Sequence, residues 1–472
     1  MGNIALWWVR RDLRLHDAPA LRAALKVSAA VVPVFILDPT LARAPGAAAR
    51  RRFLIGGLRA LDAALRTRGS YLVVREGPPL EVLEGLMTEA GASAIFAERD
   101  LTPYARRRDE MVARRLPLHL IGHPTVHPPE ALVRPNGAAY RVFGAFRRAW
   151  QALPLPSTLP PPEQPLATPD GLFSLLHVED GETKTQNNEE EFPPGEAEAL
   201  RRLRAFTDGP EAPIYRYAWE RDRLDREGTA KLSPYFRFGM LSPRAAAAAA
   251  VTALEKAPDA ESQQSVRSWL QELIWRDFFH VLFAHEPTLR QRSLYPFGER
   301  IPWRSDPEGF AAWAEGRTGY PLVDAGMRQL RATGWMPNRV RMVAAAFLAK
   351  HLLIDWRWGE QWFIAHLLDG DPAVNGGNWQ WAAGVGVDTA PYVRLFQPVV
   401  QSQRHDPYGV YVRRWVPELA NVPNEYVHAP WKMPPEIQRA ANCRIGIDYP
   451  APRVTERSAR QARDIFREAR RR

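Results

Sequence analysis

The stretch Asp369-Gly-Asp371-Pro-Ala-Val-Asn375-Gly-Gly-Asn-Trp379-Gln-Trp381 brings together two carboxylates, an amide, bare glycine backbone and two indole rings. A helical run, Gln361 to Leu368, leads into it and stops at the acids, the proline and the paired glycines. Acids and an amide beside large rings suit a flat heteroaromatic group with a polar edge. The same residues also fit a helix-end loop whose tryptophans simply fill the interior, the ordinary use of aromatic side chains. The flanking segments have to decide between the two.

Three further patches carry chemistry. Trp269-Leu-Gln-Glu272-Leu-Ile-Trp275-Arg276-Asp-Phe-Phe279 has helical spacing, with Trp269, Glu272, Arg276 and Phe279 on one face and Trp275 beside it. A carboxylate among tryptophans on a core-facing stripe is costly unless it is bonded to something. The plain alternative is an i,i+4 Glu–Arg pair. In Gly334-Trp-Met-Pro-Asn338-Arg-Val-Arg341-Met342, an apolar stripe runs through Val340, Val343, Phe347 and Leu348. Asn338, Arg341, Met342 and Ala345 fall on another face that reads as a pocket wall, with Arg341 a partner for Asp369 or Asp371. Tyr217-Ala-Trp-Glu-Arg221 leads to Gly228-Thr-Ala-Lys-Leu-Ser233-Pro. A Gly-Thr turn with a lysine and a serine before a helix is either a phosphate cradle or an ordinary N-cap.

These patches need scaffolds. From Pro213 onward the periodicity is helical and alanine-rich, without convincing strands. Ahead of it, apolar runs at 4–9, 30–37, 71–74, 94–97 and 116–121 alternate with helical patterns at 18–27, 47–68, 79–90 and 104–115. That alternation predicts an α/β, doubly wound parallel sheet covered on both faces. Ligands of such sheets sit at the carboxyl ends of the strands, here Arg10 to Asp17, Asp38 and Arg99-Asp100. No Gly-x-Gly-x-x-Gly and no P-loop is present, so a standard dinucleotide or ATP site is not expected there. Between the two regions the proline-rich 153–165 and the acidic 178–191 cannot bury enough apolar area to order themselves. The domains expected are an α/β domain over 1–130, a linker over 131–212 and an all-α C-terminal domain over 213–472.

Composition narrows the partners. The net charge of +10 rests on 63 Lys+Arg, mostly arginine, and points to a polyanion: nucleic acid or a membrane surface. Genome bias or thermal adaptation also enriches arginine. Sixteen tryptophans is the more unusual number. The single Cys443 excludes disulfide frameworks, thiolate-held iron–sulfur clusters and four-cysteine zinc sites, and fits a reducing compartment. No apolar run reaches about 18 residues and the start lacks a signal-peptide pattern, so a cytoplasmic protein without a membrane span is expected.

Taken together the patches resemble the photolyase/cryptochrome family over nearly the whole chain. The resemblance is carried by Trp8-Val-Arg-Arg-Asp-Leu-Arg-Leu-His-Asp17, Thr318-Gly-Tyr-Pro-Leu-Val-Asp-Ala325, Gly334-Trp-Met-x-Asn338 and Asn-Trp379-Gln-Trp381. It implies an α/β antenna domain, a wrapping linker and a helical domain holding FAD. By position it implies that Tyr217, Arg221, Thr229, Ala230, Lys231, Leu232 and Ser233 meet the adenine-to-phosphate part of FAD; Ala230 lacks the hydroxyl of many relatives. Trp269, Arg276, Arg341, Asp369 and Asp371 would line or brace the isoalloxazine, with Asn375 facing its N5. Glu272, Trp275, Asn338, Met342 and Trp381 match the lesion pocket of class I cyclobutane pyrimidine dimer photolyases. Trp379, Trp356 and Trp303 match a chain of three tryptophans that carries an electron to the flavin from the surface. Arg226, Lys231, Arg339, Arg394 and Arg404 would bind phosphates of UV-damaged DNA, and a monomer is expected.

Two rivals differ in class or lesion. A (6-4) photolyase uses a histidine pair where this chain has Pro337-Asn338 and Met342. Pro337 also departs from the histidine common in cyclobutane-dimer enzymes. A cryptochrome-type blue-light receptor often carries a long C-terminal tail and another residue facing N5, whereas this chain has Asn375 and ends in a short basic stretch, 453–472. For a second, antenna chromophore, Phe35-Ile-Leu-Asp38 and Arg99-Asp-Leu-Thr-Pro-Tyr104 resemble deazaflavin- or flavin-binding relatives more than folate-binding ones.

Overall fold

In the computed structural model the residues described are 3–42, 48–177, 191–388 and 395–471. The chain divides into two units, one formed by 1–216 with 230–287 and the other by 217–229 with 288–472.

The first unit is built on five parallel strands: β1 (Ile4–Val9), β2 (Ala30–Leu37), β3 (Val73–Glu76), β4 (Ala92–Ala97) and β5 (Leu118–Leu120). Their order is β3-β2-β1-β4-β5. The inner strands are apolar without alternation because helices cover both faces. Those helices are α1 (Pro19–Val27), α2 (Ala48–Arg66), α3 (Pro79–Ala90) and α4 (Pro103–Ala113), three of them opening on a proline whose missing N–H costs nothing there. Strand order reverses at β1, so the carboxyl ends of β1 and β4 flank the switch point.

The region expected as a linker has helices on either side of its proline-rich part. It carries α5 (Phe143–Gln151) and α6 (Glu196–Thr207). Phe143, Phe146 and Trp150 recur at helical spacing and are all buried, so tertiary packing supplies the ordering energy that the flanking prolines withhold. Just past the proline-rich part the chain runs beside the sheet: Val31 N–H donates to Leu166 O at 2.7 Å, and Tyr71 Oη to Pro169 O at 2.7 Å. Borrowed partners of this kind satisfy the backbone without local secondary structure. Most of the acidic run, 178–190, lies outside the described residues.

The unit is completed by α7 (Pro243–Glu255), capped by Ser242, and the 26-residue α8 (Ala260–His285), capped by Asp259 Oδ1 on Ser262 N–H at 2.7 Å. Gly239, with φ +66°, lies so close to the turn after β1 that a Cβ would stand 1.7 Å from Arg11 O. Only glycine permits that approach.

The second unit is helical, as expected: α9 (Pro307–Glu315), α10 (Pro321–Thr333), α11 (Asn338–Ala346), α12 (Trp356–His366), α13 (Pro372–Ala383) and α14 (Glu456–Arg471) are its longer elements. Isolated bridges such as Arg304–Ile354 replace strands among its described residues. Its core gathers Trp313, Met336, Val340, Val343, Phe347, Trp356 and Trp379. The apolar stripe of α11 is buried and Asn338 exposed, with Arg341 and Met342 half-buried. No helix among the described residues is long and apolar enough to cross a membrane.

Candidate flavin and lesion sites

Asn375 lies in the first turns of α13 and is 8% exposed. Asp371 starts that helix by accepting from the N–H groups of Ala373 (2.9 Å) and Val374 (3.2 Å), so one of the two acids is an N-cap. The other, Asp369, takes both guanidinium nitrogens of Arg341 at 3.0 and 2.9 Å, while Arg341 Nε donates to Met336 O at 2.9 Å. Of the two partners open to Arg341 in the sequence, the fold pairs it with Asp369.

Asn375 donates from Nδ2 to Glu360 Oε1 (2.8 Å) and to Glu360 O (3.1 Å). Glu360 is itself bound by Arg290 through Nε (2.6 Å) and Nη2 (3.1 Å). Both groups facing Nδ2 are acceptors, so the amide can sit only one way round. Among the described residues no donor reaches Oδ1. An acceptor left open in this way on a largely buried residue fits the N–H edge of a reduced flavin, and that is the test these residues pass for FAD. Glu360 and Arg290 were not singled out from the sequence. The available signal was a carboxylate at i+4 from Trp356 and i−3 from Phe363 on one buried face of α12.

Trp379 and Trp356 are fully buried and Trp303 partly so. Trp379 packs edge-on against Phe363 (4.9 Å between centroids) and Trp313 (6.0 Å), and Trp303 against Phe466 (5.7 Å). No direct ring contact joins Trp303, Trp356 and Trp379 to each other among the described residues. Their three indole N–H groups are buried with no hydrogen-bond acceptor among the described residues, whereas Trp313 donates to Ala344 O at 2.9 Å.

In the same unit Tyr217 is buried, with the Arg221 guanidinium 5.3 Å from its ring centre. Gly228 is required, because a Cβ would stand 2.4 Å from Glu220 O. Thr229 follows it, half-buried. Arg226 and Arg404 are exposed, the former 3.7 Å from Glu220 Oε1. Arg339 is committed to Asp222 at 2.5 Å. Burial works against the Asp222 carboxylate, but the Arg339 bond and charge hold its pKa below the usual range. Trp381 is half-buried beside Phe396 (6.3 Å), Asn338 Nδ2 lies 3.8 Å from Met342 Sδ, and Arg394 is outside the described residues.

In the first unit α8 presents Trp269, buried against Phe206 (5.7 Å), and the half-buried Glu272, Trp275 and Arg276. Arg276 donates to Pro124 O and lies 3.8 Å from Asp277. Asp277 accepts from Trp150 Nε1 (3.0 Å) and Val126 N–H (2.9 Å), and burial pushes its carboxyl up to about 6. Ala230 and Leu232 flank Lys231, which has φ +48° and bonds Glu191 at 2.9 Å; Ser233 is exposed at the start of a six-residue helix.

At the switch point of the sheet the charged residues are largely bonded to one another. Arg10 pairs with Asp109 (2.6 Å), Arg14 with Glu98 (2.7 Å) and Arg244 with Asp17 (2.9 Å), and the guanidiniums of Arg10 and Arg108 each lie 4.7 Å from the Trp8 ring centre. Asp38 accepts from Tyr104 Oη and from Thr40 N–H. Burial pushes Glu98 up to about 7 against the pull of Arg14, while at Asp100 burial is outweighed by Arg11, the Thr102 N–H, Arg108 and Arg10 acting together, which lower the pKa.

Comparison with known proteins agrees with this layout. The family described as the FAD binding domain of DNA photolyase matches residues 269–467, and that described as DNA photolyase matches 5–166. A deoxyribodipyrimidine photo-lyase of Thermus thermophilus is 46% identical over 89% of this chain and 93% of its own length. Among solved structures, a bacterial class III photolyase from Agrobacterium tumefaciens superposes with a TM-score of 0.92 at 33% identity, covering 100% of this chain and 98% of that one. An archaeal photolyase from Sulfolobus tokodaii with two FAD molecules gives 0.82 at 30% identity, covering 98% and 100%. On sequence and fold alike, the chain belongs to the DNA photolyase family and carries that family's FAD-binding domain.

Proposed function

We propose that this protein is a light-driven DNA repair enzyme that splits cyclobutane pyrimidine dimers with FAD as its cofactor. The observation that carries the reading is Asn375, buried, locked by Glu360 and left with one acceptor oxygen. When bound and reduced, FAD supplies the excited electron that opens the cyclobutane ring and takes it back. The chain supplies binding, orientation and electrostatics. Tyr217, Arg221 and Thr229 to Ser233 hold the adenine-to-phosphate portion, and Trp269, Arg276, Arg341, Asp369 and Asp371 line or brace the isoalloxazine. Asn375 accepts from the ring edge without adding a charge.

The flipped-out dimer stacks on Trp275 and Trp381 beside Met342, and Glu272 and Asn338 bond its polar edges. Extrusion from the duplex costs a few kcal/mol, least for a damaged step. Arg226, Arg339, Arg394 and Arg404 bind backbone phosphates, which makes affinity salt-dependent. Trp303, Trp356 and Trp379 bring electrons in from the surface. In this reading residues 1–130 form the antenna domain, 131–212 the linker and 213–472 the catalytic domain of a cytoplasmic monomer. The antenna site takes a deazaflavin- or flavin-type second chromophore, a reading supported by the two-FAD relative.

The test is repair of a dimer-containing oligonucleotide under blue light with a dark control. FAD-loaded protein that gives no turnover would favour a blue-light receptor, and turnover only on (6-4) lesions would reassign the pocket. Absorption spectra before and after photoreduction report both pigments.

A further inference from the structure

Helix α5, just ahead of the proline-rich stretch, is fastened along α8. Arg147 Nη1 donates to Gln271 Oε1 at 2.9 Å, Trp150 Nε1 to Asp277 Oδ2 at 3.0 Å, and Phe146 packs on Phe278 at 5.1 Å. Between these fastenings Phe143, itself buried, lies flat on the Trp275 indole: the ring centres are 3.6 Å apart and the planes 4° from parallel. Phe278 stands edge-on to the same indole (5.6 Å, 72°) and Phe279 lies beside it (5.6 Å, 28°).

Such full overlap is not the geometry aromatic pairs choose for themselves, since offset and edge-to-face arrangements are electrostatically better. The packing of α5 on α8 therefore imposes it. Its consequence is geometric. One π-face of Trp275 is used up, the indole cannot turn about its side-chain bonds without expelling Phe143, and a planar ligand can meet only the remaining face or edge. A half-buried indole on a helix surface would otherwise lose rotamer freedom on each binding event.

We propose that Phe143 is a positioning residue for dimer recognition, a backstop that presets the plane of Trp275. This rests on the assignment of Trp275 to the lesion pocket. Phe143 itself touches neither substrate nor cofactor in this role.

The experiment compares Phe143→Leu, Phe143→Tyr, Trp275→Ala and the double variant Phe143→Leu/Trp275→Ala, all loaded with FAD. Phe143→Leu keeps apolar bulk but has no flat face. It should weaken binding of a dimer-containing oligonucleotide about five- to tenfold, the scale of one aromatic stack, and raise KM with kcat at saturation unchanged. Phe143→Tyr should restore wild-type affinity. FAD content and the rate of flavin photoreduction should match wild type in each single variant. In the Trp275→Ala background Phe143→Leu should cost nothing more, a coupling that a merely structural role would not produce. Should Phe143→Leu prove insoluble, Phe143→Met replaces it. Wild-type affinity in Phe143→Leu, or an equal loss with and without Trp275, overturns the proposal. Unchanged affinity in Trp275→Ala overturns the lesion-pocket assignment beneath it, and the proposal with it.

Discussion

Asn375 Nδ2 sits 2.8 Å from Glu360 Oε1, and the carboxylate that receives it is 1% exposed and bound by Arg290. The charge on Glu360 is therefore matched by an arginine, and the direction of the Asn375 amide is settled by chemistry and not by packing alone. Glu360→Ala removes the shorter of the two bonds that fix this direction and leaves only the backbone carbonyl of residue 360. The expected outcome is protein that still binds FAD but photoreduces it roughly tenfold more slowly, about the worth of one hydrogen bond to a charged group. Bleaching of the flavin's blue absorption under steady light with an external thiol measures it. An unchanged rate would falsify the orienting role.

The Arg341–Asp369 pair is bidentate, and the Asp369 side chain is 3% exposed. Arg341→Ala strands that carboxylate and should cost about 3–5 kcal/mol of stability. Arg341→Met with Asp369→Leu removes both charges together and should recover most of the loss, while FAD content stays low if the pair braces the flavin. Urea unfolding and the ratio of flavin to protein absorbance separate stability from cofactor binding.

Glu98 sets a pH dependence in the first unit. Burial raises its folded pKa to about 7 from an ordinary 4.5, so between those values the folded protein binds a proton that the unfolded chain does not. This contribution is fully present below pH 4.5 and is lost as pH rises through 7. Thermal unfolding of Glu98→Gln should have a flatter dependence over this window than the parent, by on the order of 1–3 kcal/mol. Parallel melting curves for the two proteins would remove Glu98 as the source.

Gly359 has no room for a side chain, since a Cβ would stand 2.1 Å from Trp379 Cη2. Gly359→Ala should shift the indole and destabilise by about 1–3 kcal/mol. Trp379→Phe, Trp356→Phe and Trp303→Phe should each abolish photoreduction of oxidised FAD, while dimer repair persists once the flavin is reduced chemically with dithionite. Loss of both activities together would place these tryptophans in the general core and remove the relay assignment.

Local pattern carried the fold class a long way. The unalternating apolar runs Ile4–Val9 and Ala30–Leu37 name buried parallel strands because strand period and burial are written in neighbouring residues. The stretch after Asp369 reads locally as a helix-end loop because of its proline and paired glycines, whereas Asp371 caps α13, which runs straight through them. Motif resemblance led to Asn375, which the fold then placed in the interior. What lay beyond reach were pairings across long sequence distance. Nothing in neighbouring residues could choose Asp369 over Asp371 for Arg341, join Arg290 to Glu360, or lay Phe143 on Trp275 across more than a hundred residues. The same holds beside the prolines: α5, just ahead of the proline-rich 153–165, takes its ordering energy from α8, and Leu166 and Pro169, just past it, accept hydrogen bonds from Val31 and Tyr71. Composition records what a segment can do alone, and only the tertiary structure decides what its neighbours do for it.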